Sequence, residues 1–124
     1  MSLKTINIIG CGRAAGSLAR LWNQAETVAI GDVLNRSRGS TVSAVRKVGA
    51  GRAAEGIPDM GPADFWLIGA NDSQIQKLAS DLAEARDNLE GALVFHLAGR
   101  FGLDVLKPLE PSGAQLAALH PVRS

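Results

Sequence analysis

Residues Ile6 to Trp22 read INIIGCGRAAGSLARLW. A mostly apolar run of strand length breaks into glycines, and the glycines lead into a helical pattern in which Leu18, Leu21, Trp22 and Ala25 recur at i, i+3, i+4 and i+7. At the junction, Gly10-Cys11-Gly12-Arg13-Ala14-Ala15 fits G-x-G-x-x-[G/A], with Gly16 following. Each small residue has a physical task in this pattern. Gly10 permits a sharp turn out of the strand, and Gly12 lets a pyrophosphate approach with no Cβ in the way. Ala15 or Gly16 lets the helix sit close on a sheet. The N–H groups of Arg13, Ala14 and Ala15 then lie at the positive end of the helix, where phosphates bind. Cys11 shares this turn and reads as a small space-filler. A ligand-free tight turn is the alternative. The strand-turn-helix context favours a dinucleotide.

Further strand-length runs follow at Val28–Leu34, Phe65–Ala70, Ala92–Leu97 and Gln115–Leu119, after a first at Lys4–Ile9. Phe65–Ala70 and Ala92–Leu97 are apolar almost throughout, as parallel strands covered on both faces should be. Helical stripes lie between them: Thr41, Ala44, Val45 and Val48, then Ile75, Leu78, Ala79 and Leu82. Ser40 is a candidate N-cap for the second helix, and Ser73–Gln76 (SQIQ) has the form of a capping box for the third. Val105, Leu106 and Leu109 predict a short fourth helix that stops near Pro108. Ala50–Pro62 (AGRAAEGIPDMGP) reads as loop with at most a brief strand. The alternation implies right-handed crossovers and an α/β fold with a doubly wound, mostly parallel sheet of the Rossmann type. Residues 1–124 then form one dinucleotide-binding domain.

The bulk numbers agree. A chain of 124 residues, 46% hydrophobic and with 14 glycines, suits one globular domain but is small for a complete enzyme. Thirteen basic residues against twelve acidic ones, with no basic block, argue against nucleic acid as a partner. One cysteine allows no internal disulfide, and no apolar run nears the roughly 20 residues of a membrane span. Met1 leads into a strand-like segment without the pattern of a signal peptide. The expectation is a soluble cytoplasmic protein. Two histidines 24 residues apart and one distant cysteine match no metal-ligand spacing.

Ligands of such sheets sit beyond the carboxyl ends of the strands, so the residues there decide the chemistry. Asp32 lies 20 residues after Gly12, where an acid can hold a ribose 2′-hydroxyl and select NAD. Val33 and Leu34 carry the strand past it, however, so its end falls at Asn35-Arg36-Ser37, with Arg38 nearby. A guanidinium with a hydroxyl and an amide beside it suits a 2′-phosphate and favours NADP over NAD. One such contact is worth about 1.5–3 kcal/mol, roughly a 10- to 100-fold preference. Ala70 and Asn71, at the end of the fourth run, border the same edge. His96 and His120 close the fifth and sixth runs and are candidate proton donors to a carbonyl undergoing hydride transfer. Either can equally be a structural histidine.

Four stretches, INIIGCGRAAGSLARLW, VLNRSRGS, HLAGRFGLDVLKPL and LHPVRS, resemble in order the N-terminal domain of an NADP-oxidoreductase-like family. That family is related to the ketopantoate reductase, pyrroline-5-carboxylate reductase and 6-phosphogluconate dehydrogenase superfamily. The resemblance implies Gly10, Gly12 and Ala15 at the pyrophosphate and Asn35, Arg36 and Ser37 at the 2′-phosphate. It also implies His96 and His120 near the nicotinamide. Ala98 stands where the family's His-x-Ser-Gly turn has serine, so a hydroxyl contact there is missing. Relatives continue into a helical domain that completes the substrate pocket and mediates dimerisation. The expected function is therefore the NADP(H)-binding half of a dehydrogenase acting on a small carbonyl or hydroxy compound. A non-catalytic nucleotide-binding or redox-sensing module is the alternative.

Overall fold

The computed structural model describes residues 3–119. Six parallel strands form one sheet in the order β3-β2-β1-β4-β5-β6. They are β1 (Thr5–Ile9), β2 (Ala29–Leu34), β3 (Arg52–Ala53), β4 (Phe65–Ile68), β5 (Leu93–His96) and β6 (Gln115–Ala118). Helices α1 (Arg13–Gln24), α2 (Arg38–Val48) and α3 (Ile75–Ala85) form the crossovers around the first five. The five predicted strands are present, each a residue or two shorter. The brief strand within Ala50–Pro62 is β3, which pairs with β2. The doubly wound α/β fold expected from the alternation is the observed one.

The sheet is covered on both faces. Beneath α1 and α2 lie Ile6, Ile8, Val33, Leu67 and Phe95, with Ala15, Ala19, Ala44 and Val48 facing them from the helices. On the other face Ile9, Trp66, Ile68 and Val94 pack against Ile75, Ala79 and Leu82 of α3 and against Leu106 and Leu109. Leu106 and Leu109 belong to a nine-residue 3-10 segment, Asp104–Ser112, which continues through Pro108 and Pro111 instead of stopping at the first. Its buried residues, Leu106, Leu109 and Ser112, recur every third position. That is the period of a 3-10 helix rather than an α-helix.

The apolar stripe of α1 differs from the predicted one. Ala15 and Ala19 are buried, Leu18 and Trp22 are half-buried, and Leu21 is 60% exposed. A Cβ on Gly69 would come within 2.6 Å of the Ala15 Cβ, so α1 rests almost on the sheet and only alanine fits its inner face. Leucine side chains are turned to the flanks. Helix α2 begins one turn earlier than Ser40 implies. Ser37 is its N-cap, accepting from the Ser40 N–H at 3.1 Å, and Ser40 returns a bond to the Ser37 N–H. The SQIQ capping box does not form: a 3-10 turn over Asp72–Gln74 leads into α3 with no side-chain cap. Among the described residues no helix is long and apolar enough to cross a membrane.

Candidate functional site

The carboxyl ends of β1, β2 and β4 meet at the glycine turn. The Gly10 N–H donates to the Leu34 carbonyl at 2.8 Å, and the Gly69 N–H donates to the Ile9 carbonyl at 2.9 Å. Three strand ends are thereby held in one plane. Gly10 has φ +79, and a Cβ there would meet Ala70 at 2.7 Å. Gly10 and Gly69 are glycines for reasons internal to the fold. Gly12 is different. Its φ is −82, and a Cβ would find nothing nearer than the Gly69 carbonyl oxygen at 3.7 Å. The protein leaves that space open.

Beyond Gly12 the N-terminus of α1 has no side-chain cap and no acid in its first turn. The N–H groups of Arg13, Ala14 and Ala15 have no helical carbonyl within reach, and the first intrahelical bond runs from Gly16 to Gly12 at 2.8 Å. Helix α2 satisfies its own end through Ser37 and Ser40. α1 leaves its donors for something else.

Two clefts open on either side of this turn. One, of about 270 Å³, is walled by Ile9, Gly10, Leu34, Arg36, Gln74 and Leu78. The other, of about 520 Å³, is lined by Ala14, Asp72, Ser73, Leu97 and Ala98. Gly69, Ala70 and Asn71 border both, so the two clefts adjoin over the strand ends and together make up the groove. Gly10, Cys11, Gly12, Asn35, Arg36, Ala70 and Asn71 all line the first cleft and Ala14 the second. Arg13 opens α1 but lines neither cleft, and Ala15 is fully buried and contributes only backbone. Gln74, Leu78 and Gly69 were not expected from the sequence. A glycine directly after an all-apolar strand was the available signal for Gly69.

Several polar residues near the groove are already committed. The Asn35 carboxamide accepts from the Cys11 N–H and donates to the Cys11 and Ser40 carbonyls at 3.2 Å each, clamping the glycine turn to the start of α2. Ser37 is the cap described above. Arg38 donates to the Ala53 carbonyl at 3.1 Å. Arg36 is exposed and has no hydrogen-bond partner among the described residues. Burial pushes the Cys11 thiol up, only partly countered by the charge of Lys47, so it stays protonated and packs as a small apolar group.

Asp32 faces away from the groove. Asn7 stands where β1 and β2 fall out of step, Ile6 pairing with Ile30 but Ile8 with Val33. The extra residue puts Ile30 and Val33 on the α1 face and Leu34 on the other. The Asp32 N–H bonds to the Asn7 side chain at 2.8 Å, while its carboxylate accepts from the Gly61 N–H at 2.6 Å and Arg52 Nε at 2.8 Å. Arg52 in turn holds Asp59 at 3.1 Å. Asp32 pins the 54–61 loop over the sheet edge.

His96 is fully buried. Its Nδ1 accepts from the Ala98 N–H at 3.0 Å, so Nε2 carries the proton and donates to the Gly102 carbonyl at 2.6 Å. Both ring nitrogens are bound within the turn that follows β5, and neither faces the groove. His120 lies outside the described residues.

The family model described as Rossmann-like domain matches residues 2–121. No curated protein matches the chain. Among solved structures, a Bacteroides fragilis protein named for an inferred NADP oxidoreductase activity is 22% identical at a TM-score of 0.78, over 98% of this chain and 44% of that one. Prephenate dehydrogenase of Aquifex aeolicus, solved with hydroxyphenyl propionate and NAD+, is 21% identical at a TM-score of 0.74, over 98% and 43%. The WlbA dehydrogenase of Chromobacterium violaceum, solved with NADH and UDP-GlcNAcA, is 20% identical at 0.70, over 96% and 35%. The chain spans less than half the length of each. At these identities the likeness speaks for the fold, and the family match runs over almost every residue: the chain belongs to the Rossmann-like domain family.

Proposed function

We propose that this domain binds NADP(H) along the groove and serves as the cofactor-binding part of an oxidoreductase. The observation that carries the reading is Gly12. No neighbour inside the protein requires a glycine there, yet a side chain would project beside three free N–H donors at a helix N-terminus. A diphosphate is the ligand that such a cradle suits. The adenosine then occupies the cleft of Leu34, Arg36, Gln74 and Leu78, and the nicotinamide end lies toward Ala14 and Leu97. NADP is favoured over NAD because the one acid on β2, Asp32, is tied to Arg52 and Gly61, while Arg36 at the strand end is free.

When bound, the nicotinamide ring supplies or accepts a hydride, and this chain's residues bind and orient the dinucleotide. The proposed reaction partner is a small carbonyl or hydroxy compound. A helical second domain is proposed to complete its pocket and to mediate dimerisation, in keeping with the greater length of the matched structures. His120 is the residue proposed to lie nearest the reacting atoms. We assign His96 to bracing the 97–102 turn, since its nitrogens are both bound.

The enclosed His96 and the alanine at position 98 favour a second reading, a nucleotide-binding module without chemistry. Substrate-dependent oxidation of NADPH by the longest encoded chain separates the two. Calorimetric titration of wild type and Gly12→Ala with NADPH tests the binding itself. The alanine protein is expected to melt within a few degrees of wild type, since a glycine N-cap contributes at most about 1 kcal/mol relative to alanine, and to bind NADPH at least tenfold more weakly. Unchanged affinity in the variant, or no binding by wild type, refutes the proposal.

A further inference from the structure

The cleft on the Ala14 and Leu97 side has two walls of unequal firmness. One follows β5 and consists of Leu97 and Ala98, which lead into the 3-10 turn Gly99–Phe101. It is braced from within. The buried His96 ring accepts from the Ala98 N–H at 3.0 Å and donates to the Gly102 carbonyl at 2.6 Å. The other wall follows β4 and ends in Asp72 and Ser73. Its 3-10 turn, Asp72–Gln74, has no side-chain cap and holds no buried residue. Among the described residues, one side-chain hydrogen bond ties 69–74 to another part of the chain: Arg100 Nη2 donates to Asp72 Oδ2 at 2.9 Å. The guanidinium also lies 4.9 Å from the centre of the Phe101 ring, which narrows the range of its swing. The exposed pair Lys77–Asp81 joins neighbours four apart on one helix, whereas Asp72–Arg100 joins two separate turns across a cleft.

We propose that Asp72 and Arg100 are a positioning pair that holds the two walls of this cleft at a fixed separation and so fixes the nicotinamide half of a bound dinucleotide. This rests on the proposal that the groove binds NADP(H) with its nicotinamide end toward Ala14 and Leu97. The physical argument is one of stiffness. A turn with few buried contacts moves at low cost unless something ties it to a rigid neighbour. The His96-braced turn is that neighbour, and the ion pair is the tie. Such an exposed pair adds little to global stability, because water and salt screen it. Between two turns it nevertheless selects one separation, and a ligand that needs that separation meets a smaller ordering cost on binding. The adenosine cleft shares Gly69, Ala70 and Asn71 with this one but is lined by neither Asp72 nor Arg100. Gln74, which does line it, is anchored from the α3 side by the buried Ile75. Opening the pair therefore acts on one half of the ligand. Asp72 and Arg100 work through the backbone they hold, not by touching the reacting atoms.

The test is a double-mutant cycle: Asp72→Asn, Arg100→Gln and the two together. Lys77→Gln, which breaks an exposed pair lining neither cleft, is the control. Each protein is titrated with NADPH and with adenosine 2′,5′-bisphosphate, which lacks the nicotinamide half. Either single variant is expected to lose about 2- to 5-fold in NADPH affinity, and the double variant no more than the larger single loss. The double variant carries the same net charge as wild type, and its affinity for the bisphosphate is expected to be unchanged. Its Tm should stay within about 2 °C of wild type. The signs separate a tie between the walls from a simple field effect. Through the field alone, losing Asp72 tightens the binding of an anion and losing Arg100 weakens it, for both ligands. Opposite signs for NADPH, losses that multiply in the double variant, or equal losses for both ligands overturn the proposal. If wild type binds no NADPH, it is the proposed function that fails. Binding of NADPH that the double variant leaves unchanged refutes the positioning pair alone.

Discussion

Replacing Asp32 by asparagine separates two roles that its position alone leaves indistinguishable. As a ribose ligand, Asp32 would leave stability alone and weaken NADH binding when changed. The structure instead makes it the anchor of the 54–61 loop. Its two carboxylate oxygens accept from the Gly61 N–H and from Arg52 Nε, and the side chain is only 12% exposed. Asparagine keeps one acceptor and turns an NH2 toward the other donor. If Gly61 loses, a part-buried N–H goes unsatisfied, at a cost of about 1–3 kcal/mol. The ion pair with Arg52 adds little, because that side chain is 54% exposed and well screened. The expected loss is about 2 kcal/mol. For a domain of this size that lowers Tm by roughly 10 °C, a figure that differential scanning calorimetry reads directly. Affinity for NADPH and NADH, measured well below the transition, should change by less than twofold. A Tm within 2 °C or so of wild type together with a tenfold loss of NADH affinity would refute this assignment and return Asp32 to the cofactor.

Gly10→Ala, unlike Gly12→Ala, should be destabilising by several kcal/mol and expressed mainly as insoluble protein, because a Cβ at φ +79 would strike Ala70; a soluble variant with wild-type Tm contradicts the geometry. Asp59 is held below the usual carboxylate range by the Glu55 N–H and then by Arg52, despite its exposure. A lowered folded pKa gives stability that is present above the unfolded value near 4 and is lost as pH falls through the folded one. Asp59→Asn should therefore flatten the acid side of the stability profile measured by urea titration, and an unchanged profile rules the ion pair out as a contributor. Cys11, buried and protonated, should react with a thiol reagent at pH 8 far more slowly in the native protein than in denaturant; equal rates would mean that the turn opens freely.

What was legible in the chain was periodicity. Alternating apolar runs and helical stripes marked five strands and their succession along the chain, with the short edge strand only as an option in a loop, and G-x-G-x-x-A located the turn. Features set by close approach were less readable. The helix stripe at Leu18, Leu21, Trp22 and Ala25 counts apolar residues without regard to size, whereas the contact with Gly69 admits only alanine at positions 15 and 19. The register fault at Asn7 depends on a side chain from one strand replacing part of the ladder in the next. In β2 it shows only as a step of three between Ile30 and Val33 on one face, which a count of 20 from Gly12 to Asp32 does not register, so that spacing pointed to a ligand that the geometry does not offer. Pro108 ended an expected α-helix, but a segment with its buried residues three apart tolerates prolines as a 3-10 helix.

The polar side chains that most resemble ligands in the sequence turn out to hold the backbone. Asn35 clamps the glycine turn, Ser37 caps α2, His96 closes the turn after β5, and Asp32 fixes the 54–61 loop. What faces the groove is the main chain of glycines and alanines, the apolar side chains of Ile9, Leu34, Leu78 and Leu97, and polar ones at Arg36, Asn71, Asp72, Ser73 and Gln74. A surface of this kind fixes its donors before any ligand arrives, so little ordering cost falls on binding. It also restricts what the domain can do alone. Backbone N–H groups and the Arg36 guanidinium grip and orient an anion, but they neither take nor give the proton that a hydride transfer to a carbonyl requires. The division follows from the residues themselves. Under the proposed function the described residues hold and orient the dinucleotide, and the proton donor is assigned to His120 or to the surroundings of the substrate.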